Sequence, residues 1–185
     1  IHHHITRESP RVLYVHIHGH GDPVKIAETV RQAVALTKTP PPALPAAASS
    51  EPLGMDTAQI ARTLGFSGRV NGGVYQVSVP RAETIREGDF EVPPSMGLGT
   101  AINFQPTGGG KAAITGDFVM IGSEVNPVIR ALRENGIEVT SLHNHLLTEE
   151  PRLFFMHFWA NDDALKLARG LRAALDKTNS RRATR

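Results

Sequence analysis

The sequence contains no cysteine, which excludes disulfides and thiolate metal sites and leaves the redox compartment open. It has no run of 18 or more apolar residues, so no stretch reads as a membrane-crossing helix. Neither charge dominates, since 20 Lys and Arg face 18 Asp and Glu for a formal net charge of +2. The basic residues are dispersed except for Arg181, Arg182 and Arg185, and neither sum nor pattern describes a nucleic-acid surface. What is present is the composition of an ordinary globular chain, 40% hydrophobic over 185 residues, enough to bury a sizeable core.

Nine histidines are present, and most of them fall in two clusters. In Leu142-His143-Asn144-His145 two imidazoles are separated by one residue. On a strand they share a face about 6.6 Å apart, within reach of one ion. The next apolar run, residues 152–159, carries His157. A turn centred on residue 150 would set His157 opposite His143, so that three imidazoles converge on one patch.

The same pattern opens the chain. Shifted by 141 positions, Ile1-His2-His3-His4 falls on Leu142-His143-Asn144-His145 without a gap. Glu8 then falls on Glu149, Pro10 on Pro151, Arg11 on Arg152, His16 on His157, Asp22 on Asp163 and Lys25 on Lys166. This is an internal duplication in which every histidine of the triad recurs. Leading histidines that keep this register are native residues rather than an added tag. The chain is therefore expected to begin inside a repeat, its missing half cut off or supplied by another molecule.

Secondary structure follows from period and punctuation. Residues 1–5 and 11–18 read as a hairpin with His2, His4, Tyr14, His16 and His18 on one face and an oily opposite face. Asp22-Pro23 starts a helix expected to cover that oily face. Residues 38–52, with Pro40-Pro41-Pro42, read as a linker. Residues 55–64 form a short helix capped by Asp56 or Thr57 and stopped by Gly65. Asn71-Gly72 marks a hairpin turn before a strand at 74–79, and residues 83–99 read as short strands and loops. Thr107-Gly108-Gly109-Gly110 lacks the Walker spacing and reads as a turn.

The second copy then reads strand 111–121, helix from Asn126-Pro127 to Asn135-Gly136, strands 137–147 and 152–159, and a helix from Asp162 or Asp163 to about Leu175. This β-α-β-β-α order, with a strand added from elsewhere, gives an α+β fold, a ferredoxin-like two-layer sandwich. It is a duplicated repeat with the first copy incomplete. Residues 1–37 are the closing ββα half of a first repeat, 53–176 a complete second repeat, and 177–185 a frayed tail.

Several runs together carry a family resemblance. They are Gly116-Asp117-Phe118-Val119, Glu124-Val125-Asn126-Pro127-Val128, Leu132-Arg133-Glu134-Asn135-Gly136-Ile137, Leu142-His143-Asn144-His145 and residues 151–157, with Gly73-Val74-Tyr75 and Pro80-Arg81. The chain resembles the LppY/LpqO family over most of 53–176, and residues 1–37 resemble the closing half of a preceding repeat. The resemblance implies an exported protein, periplasmic, secreted or lipid-anchored, and no particular activity. One departure is His3 in place of Asn144.

The duplicated triads point to metal. His143, His145 and His157 form one expected set, and His2, His4 and His16 the other, with His18 and His20 as further donors. Neutral imidazole suits zinc first and also nickel or copper. The first reading is an envelope metal-binding protein. The alternatives are a metal-dependent hydrolase with water in an open fourth position, and a non-catalytic ligand-binding or assembly module in which duplicated sheets pack face to face. A hydrolase needs a base, for which Glu149 and Glu124 are the candidates. Glu149 also completes a His-x-His-x3-Glu spacing found in cupins, but the helical stretches do not suit an all-β barrel. Arg81, Arg152 and Arg11 could hold a small anionic ligand. A homodimer, or pairing with the missing half-repeat, is the expected assembly.

Overall fold

The computed structural model describes residues 1–40 and 53–181. Residues 41–52 of the expected linker and 182–185 of the expected tail lie outside the described residues. The elements in chain order are α1 (Pro23–Ala35), α2 (Thr57–Leu64), β1 (Gly68–Asn71), β2 (Val74–Pro80), β3 (Arg86–Glu87), β4 (Phe90–Glu91), β5 (Gly99–Gly108), β6 (Lys111–Ile121), α3 (Gly122–Glu134), β7 (Glu138–His143), β8 (Leu153–Asp163) and α4 (Ala164–Leu175).

Six strands form one antiparallel sheet in the order β1-β2-β5-β6-β8-β7. Because β6 and β7 both run antiparallel to β8, they are parallel to each other and joined through α3 across it, the split β-α-β arrangement. The strand expected from elsewhere is β5, which pairs with the free edge of β6. The fold is thus α+β, with α2, α3 and α4 layered on one face of the sheet.

Strand parity makes the two faces different. Ile114, Phe118 and Met120 of β6 join Met156 and Phe158 of β8 in the main core beneath the helices, with Leu132, Leu167 and Leu171. The odd positions face the other way. There Val119 and Phe155 pack with Ile85, Leu98 and Leu153 in a small second cluster, next to which the same parity places Asp117 and His157.

Local signals hold where the chain supplies its own partner. Asp22 accepts from the N–H groups of Val24 and Lys25 at 2.9 and 3.0 Å, Asp56 from Gln59 at 2.8 Å, and Asp163 from Lys166 at 2.8 Å. Gly65 stops α2 with φ 77°. The hairpin turns at Gly72-Gly73 and Gly109-Gly110 hold positive φ at both positions, which only glycine adopts freely.

Five expectations are corrected. α3 begins at Gly122, ahead of Asn126-Pro127, because the Glu124 carboxylate accepts from the Ile121 N–H at 2.9 Å and caps an earlier turn. The triad hairpin turns two residues out of the expected register: Ser141, not His143, stands opposite His157, and His143 stands opposite Phe155. An even shift leaves every side chain on its face. The expected hairpin of residues 1–18 reduces to one bridge, His2 to Tyr14, closed by two backbone hydrogen bonds of 3.0 and 2.7 Å.

That bridge keeps the register of its counterpart, since His2 and Tyr14 correspond to His143 and Phe155. In the second copy, however, β8 lies between β7 and β6 and buries Met156 and Phe158 fully. The corresponding Val15 and Ile17 are 61% and 71% exposed, and α1, expected to cover them, buries no residue.

The tail is the fifth correction. Residues 179–181 are not frayed but run beside the end of β2, where Ala82 donates to the Asn179 carbonyl and Arg181 to that of Pro80 at 2.9 and 2.8 Å.

Candidate metal centre

Each histidine reaches the centre for a local reason. His157 projects from β8 beside Asp117 of β6 and Ser141 of β7, on the helix-free face. His143 ends β7 two residues beyond Ser141, on the same face, and His145 follows in the loop. Residues 2–7 lie along β7, tied by Thr140 donating to the His4 carbonyl at 2.6 Å and Thr6 to the Glu138 carboxylate at 3.2 Å. This seats His2, His4 and His16 against the second copy's imidazoles.

The structure therefore joins the two expected triads into one cluster. His2 Nε2 lies 3.0 Å from His157 Nε2, and His143 Nε2 lies 3.1 Å from His145 Nε2. Two groups of three have all their ligand atoms within 4.8 Å of one another: His2, His143 and His157, and His16, His143 and His145. Each takes members from both copies. Among the described residues the one-copy sets are not grouped in this way. Two nitrogens about 2.05 Å from a tetrahedral zinc are roughly 3.3 Å apart, close to the spacings seen.

Protonation favours ligation. His157 donates its Nδ1 proton to the Gly116 carbonyl at 2.7 Å, which leaves the Nε2 lone pair facing His2. Burial, against the opposing pull of Asp117, pushes His143 down to about 3. Burial and then the neighbouring His157 charge push His2 and His4 to about 4. His16 and His157 are also lowered, first by burial. At neutral pH these five imidazoles carry free lone pairs.

Sequence reasoning did not single out Asp117 as a site residue. Its Oδ2 lies 3.4 Å from His145 Nε2 and its Oδ1 3.9 Å from His157 Nδ1, and Oδ1 is buried without a hydrogen-bond partner. The available signal was an acid in mid-strand, on the parity opposite to Ile114, Phe118 and Met120.

The other candidates serve the scaffold. Glu149, 2% exposed, accepts from the Leu153 N–H at 2.9 Å and from Arg152 at 3.5 Å. Glu8 makes the equivalent bond to Val12 at 3.0 Å, so this glutamate braces its own loop in both copies. Glu124 binds Arg81 at 2.7 and 3.1 Å and also accepts from Asn179 N–H at 2.8 Å. Arg81 is further committed to Glu83 and the Val119 carbonyl, and Arg152 to the carbonyls of Leu146 and Leu147. His18 and His20 lie outside both groups, with His20 packed 5.0 Å from Phe90.

Beside His16 and His145 opens a cleft of about 860 Å³, lined between α1 and β4 by Ile26, Phe90, Met96 and Leu146 among others.

No curated protein and no solved structure matches this chain. Residues 1–36 and 58–177 match one family profile, which takes in all six histidines of the candidate centre. By that coverage the chain belongs to the family described as a Domain of Unknown Function (DUF1259).

Proposed function

We propose that this protein binds a divalent transition metal, zinc foremost and nickel or copper next, through the imidazoles of His143, His145, His157, His2, His4 and His16. The observation that carries the reading is the convergence of two copies' histidines, with ligand atoms within 4.8 Å in two groups. The buried imidazoles of His2 and His157, facing one another at 3.0 Å, carry opposed lone pairs unless a proton or a cation lies between them, and the part-buried His143 and His145 nitrogens approach to 3.1 Å. Elemental analysis of protein made without an affinity tag, beside a His143→Ala/His145→Ala variant, tests it. The wild type is expected to retain metal through gel filtration and the variant to lose it; equal content in both refutes the reading.

The resemblance to the LppY/LpqO family supports an extracytoplasmic setting for this centre, tested by fractionating cells that express the full gene. The division into a closing half-repeat at 1–37 and a complete repeat at 53–176 supports an assembly as well. The exposed face of Leu13, Val15 and Ile17 corresponds to the face that β8 buries. Its occupant in this reading is a half-repeat resembling residues 53–141, whose strand would pair as β6 pairs with β8. Hydrogen exchange of residues 12–18 with and without such a half-repeat checks this.

A further inference from the structure

The six histidines are related by an approximate two-fold axis that exchanges the copies. The rings of His4 and His157 are 3.7 Å apart and those of His16 and His145 3.8 Å. His2 to His4 is 5.1 Å and His143 to His145 is 5.0 Å; His2 to His16 and His143 to His157 are both 4.9 Å. Even the flanking stacks agree, His4 on Tyr14 and His145 on Phe155 at 3.5 Å each. His2 and His143 stack on each other at 3.7 Å, on the axis itself.

We propose that the cluster is a two-ion centre with exchanged ligands. One ion takes His143 and His145 from the second copy and His16 from the first; the other takes His2 and His4 from the first and His157 from the second. This deepens the metal-binding reading and rests on it. The first set is one of the two groups with ligand atoms within 4.8 Å; the second is its image under the two-fold axis, with His2 Nε2 3.0 Å from His157 Nε2 and the His4 and His157 rings 3.7 Å apart, but it is not itself one of those groups. The other close group, His2, His143 and His157, would spend both axial rings on one ion and leave His4, His16 and His145 without one. The exchanged sets use each imidazole once.

Charge and exposure distinguish the two positions. Two dications among neutral imidazoles need an anion nearby, and Asp117 turns one oxygen towards each set, Oδ2 to His145 and Oδ1 to His157. In the set holding His2 and His157 those two are buried, at 8% and 3% exposure, and His4 is partly buried. The set holding His16 and His145 opens on the cleft. The cleft-side ion is therefore the exchangeable one, accessible to a metal-binding group on a ligand, and the buried ion is the retained one.

Paired substitutions separate exchanged from one-copy sets. Tag-free protein is stripped with chelator, reloaded with zinc alone, desalted and assayed for zinc per chain, with circular dichroism as the check of folding. The wild type is expected to hold two zinc ions and to release them to chelator in a fast and a slow phase. His16→Gln/His145→Gln removes two ligands of one exchanged set and is expected to hold one zinc, whereas one-copy sets would leave none. His145→Gln/His157→Gln strikes both exchanged sets and is expected to hold none, whereas one-copy sets would leave one. The reverse pattern, the same count in both variants, or one zinc in the wild type overturns the two-ion arrangement. No zinc in the wild type overturns the metal-binding reading itself.

Discussion

Replacing Glu124 with alanine removes the acceptor on which three segments converge. The carboxylate receives Arg81 Nη1 and Nη2, the N–H that starts α3 at Ile121, and the N–H of Asn179 from the tail. Arg81 has a side chain only 3% exposed, and after the change Glu83 alone would balance it. Removing one partner of a buried ion pair costs about 3–5 kcal/mol, which for a domain of this size lowers Tm by roughly 6–20 °C. Differential scanning calorimetry measures the shift, and zinc per folded chain is expected to stay at the wild-type value. An Arg81→Met/Glu124→Leu variant is expected to recover part of the loss, because the one charge it leaves without its partner, Glu83, is 27% exposed rather than buried. A Glu124→Ala protein melting within about 2 °C of wild type would refute the structural assignment. Lost zinc in a folded variant would place Glu124 in the metal centre instead.

Acid is expected to destabilise the metal-free protein. His2 and His4 are held near 4 and His143 near 3, against 6.5 when unfolded, so between those values the unfolded chain binds more protons and stability falls as pH falls. Urea midpoints at pH 7, 6, 5 and 4 measure this, and an unchanged midpoint from 7 to 4 contradicts it. Gly116→Ala places a Cβ 1.9 Å from the Ala101 carbonyl oxygen, a backbone atom that cannot yield. The expected loss exceeds about 3 kcal/mol in chemical denaturation, and a fully stable variant would show that β5 and β6 separate easily. Glu149→Ala orphans the buried Leu153 N–H and is expected to cost about 1–3 kcal/mol without removing a metal ligand. Zinc loss from a folded Glu149→Ala protein would restore the cupin-like role for that residue.

Much of the fold was legible because its signals are local. A carboxylate at 22, 56 or 163 caps the helix beside it, and Gly65, Gly72 and Gly109 take φ values other residues avoid. The shared face of His143 and His157 was also legible, since parity survives a two-residue register error. Less local features were not. The tail is held by Pro80, Ala82 and Glu124, more than fifty residues away in sequence, whereas the early start of α3 is set locally, by Glu124 reaching back three residues to Ile121 ahead of Asn126-Pro127. Asp117 had only its odd parity to mark it, and its relation to His145 exists only once β6 lies beside β8.

The sequence by itself determined that two sets of three histidines recur at the same spacing and that no thiol competes with them. Those properties follow from spacing and composition, which pass unchanged into any structure that forms the strands. Only the tertiary structure decided which imidazoles meet. The first copy lies along β7 through Thr140 and Glu138, and the contact brings the triads together across an axis that no spacing within either copy encodes.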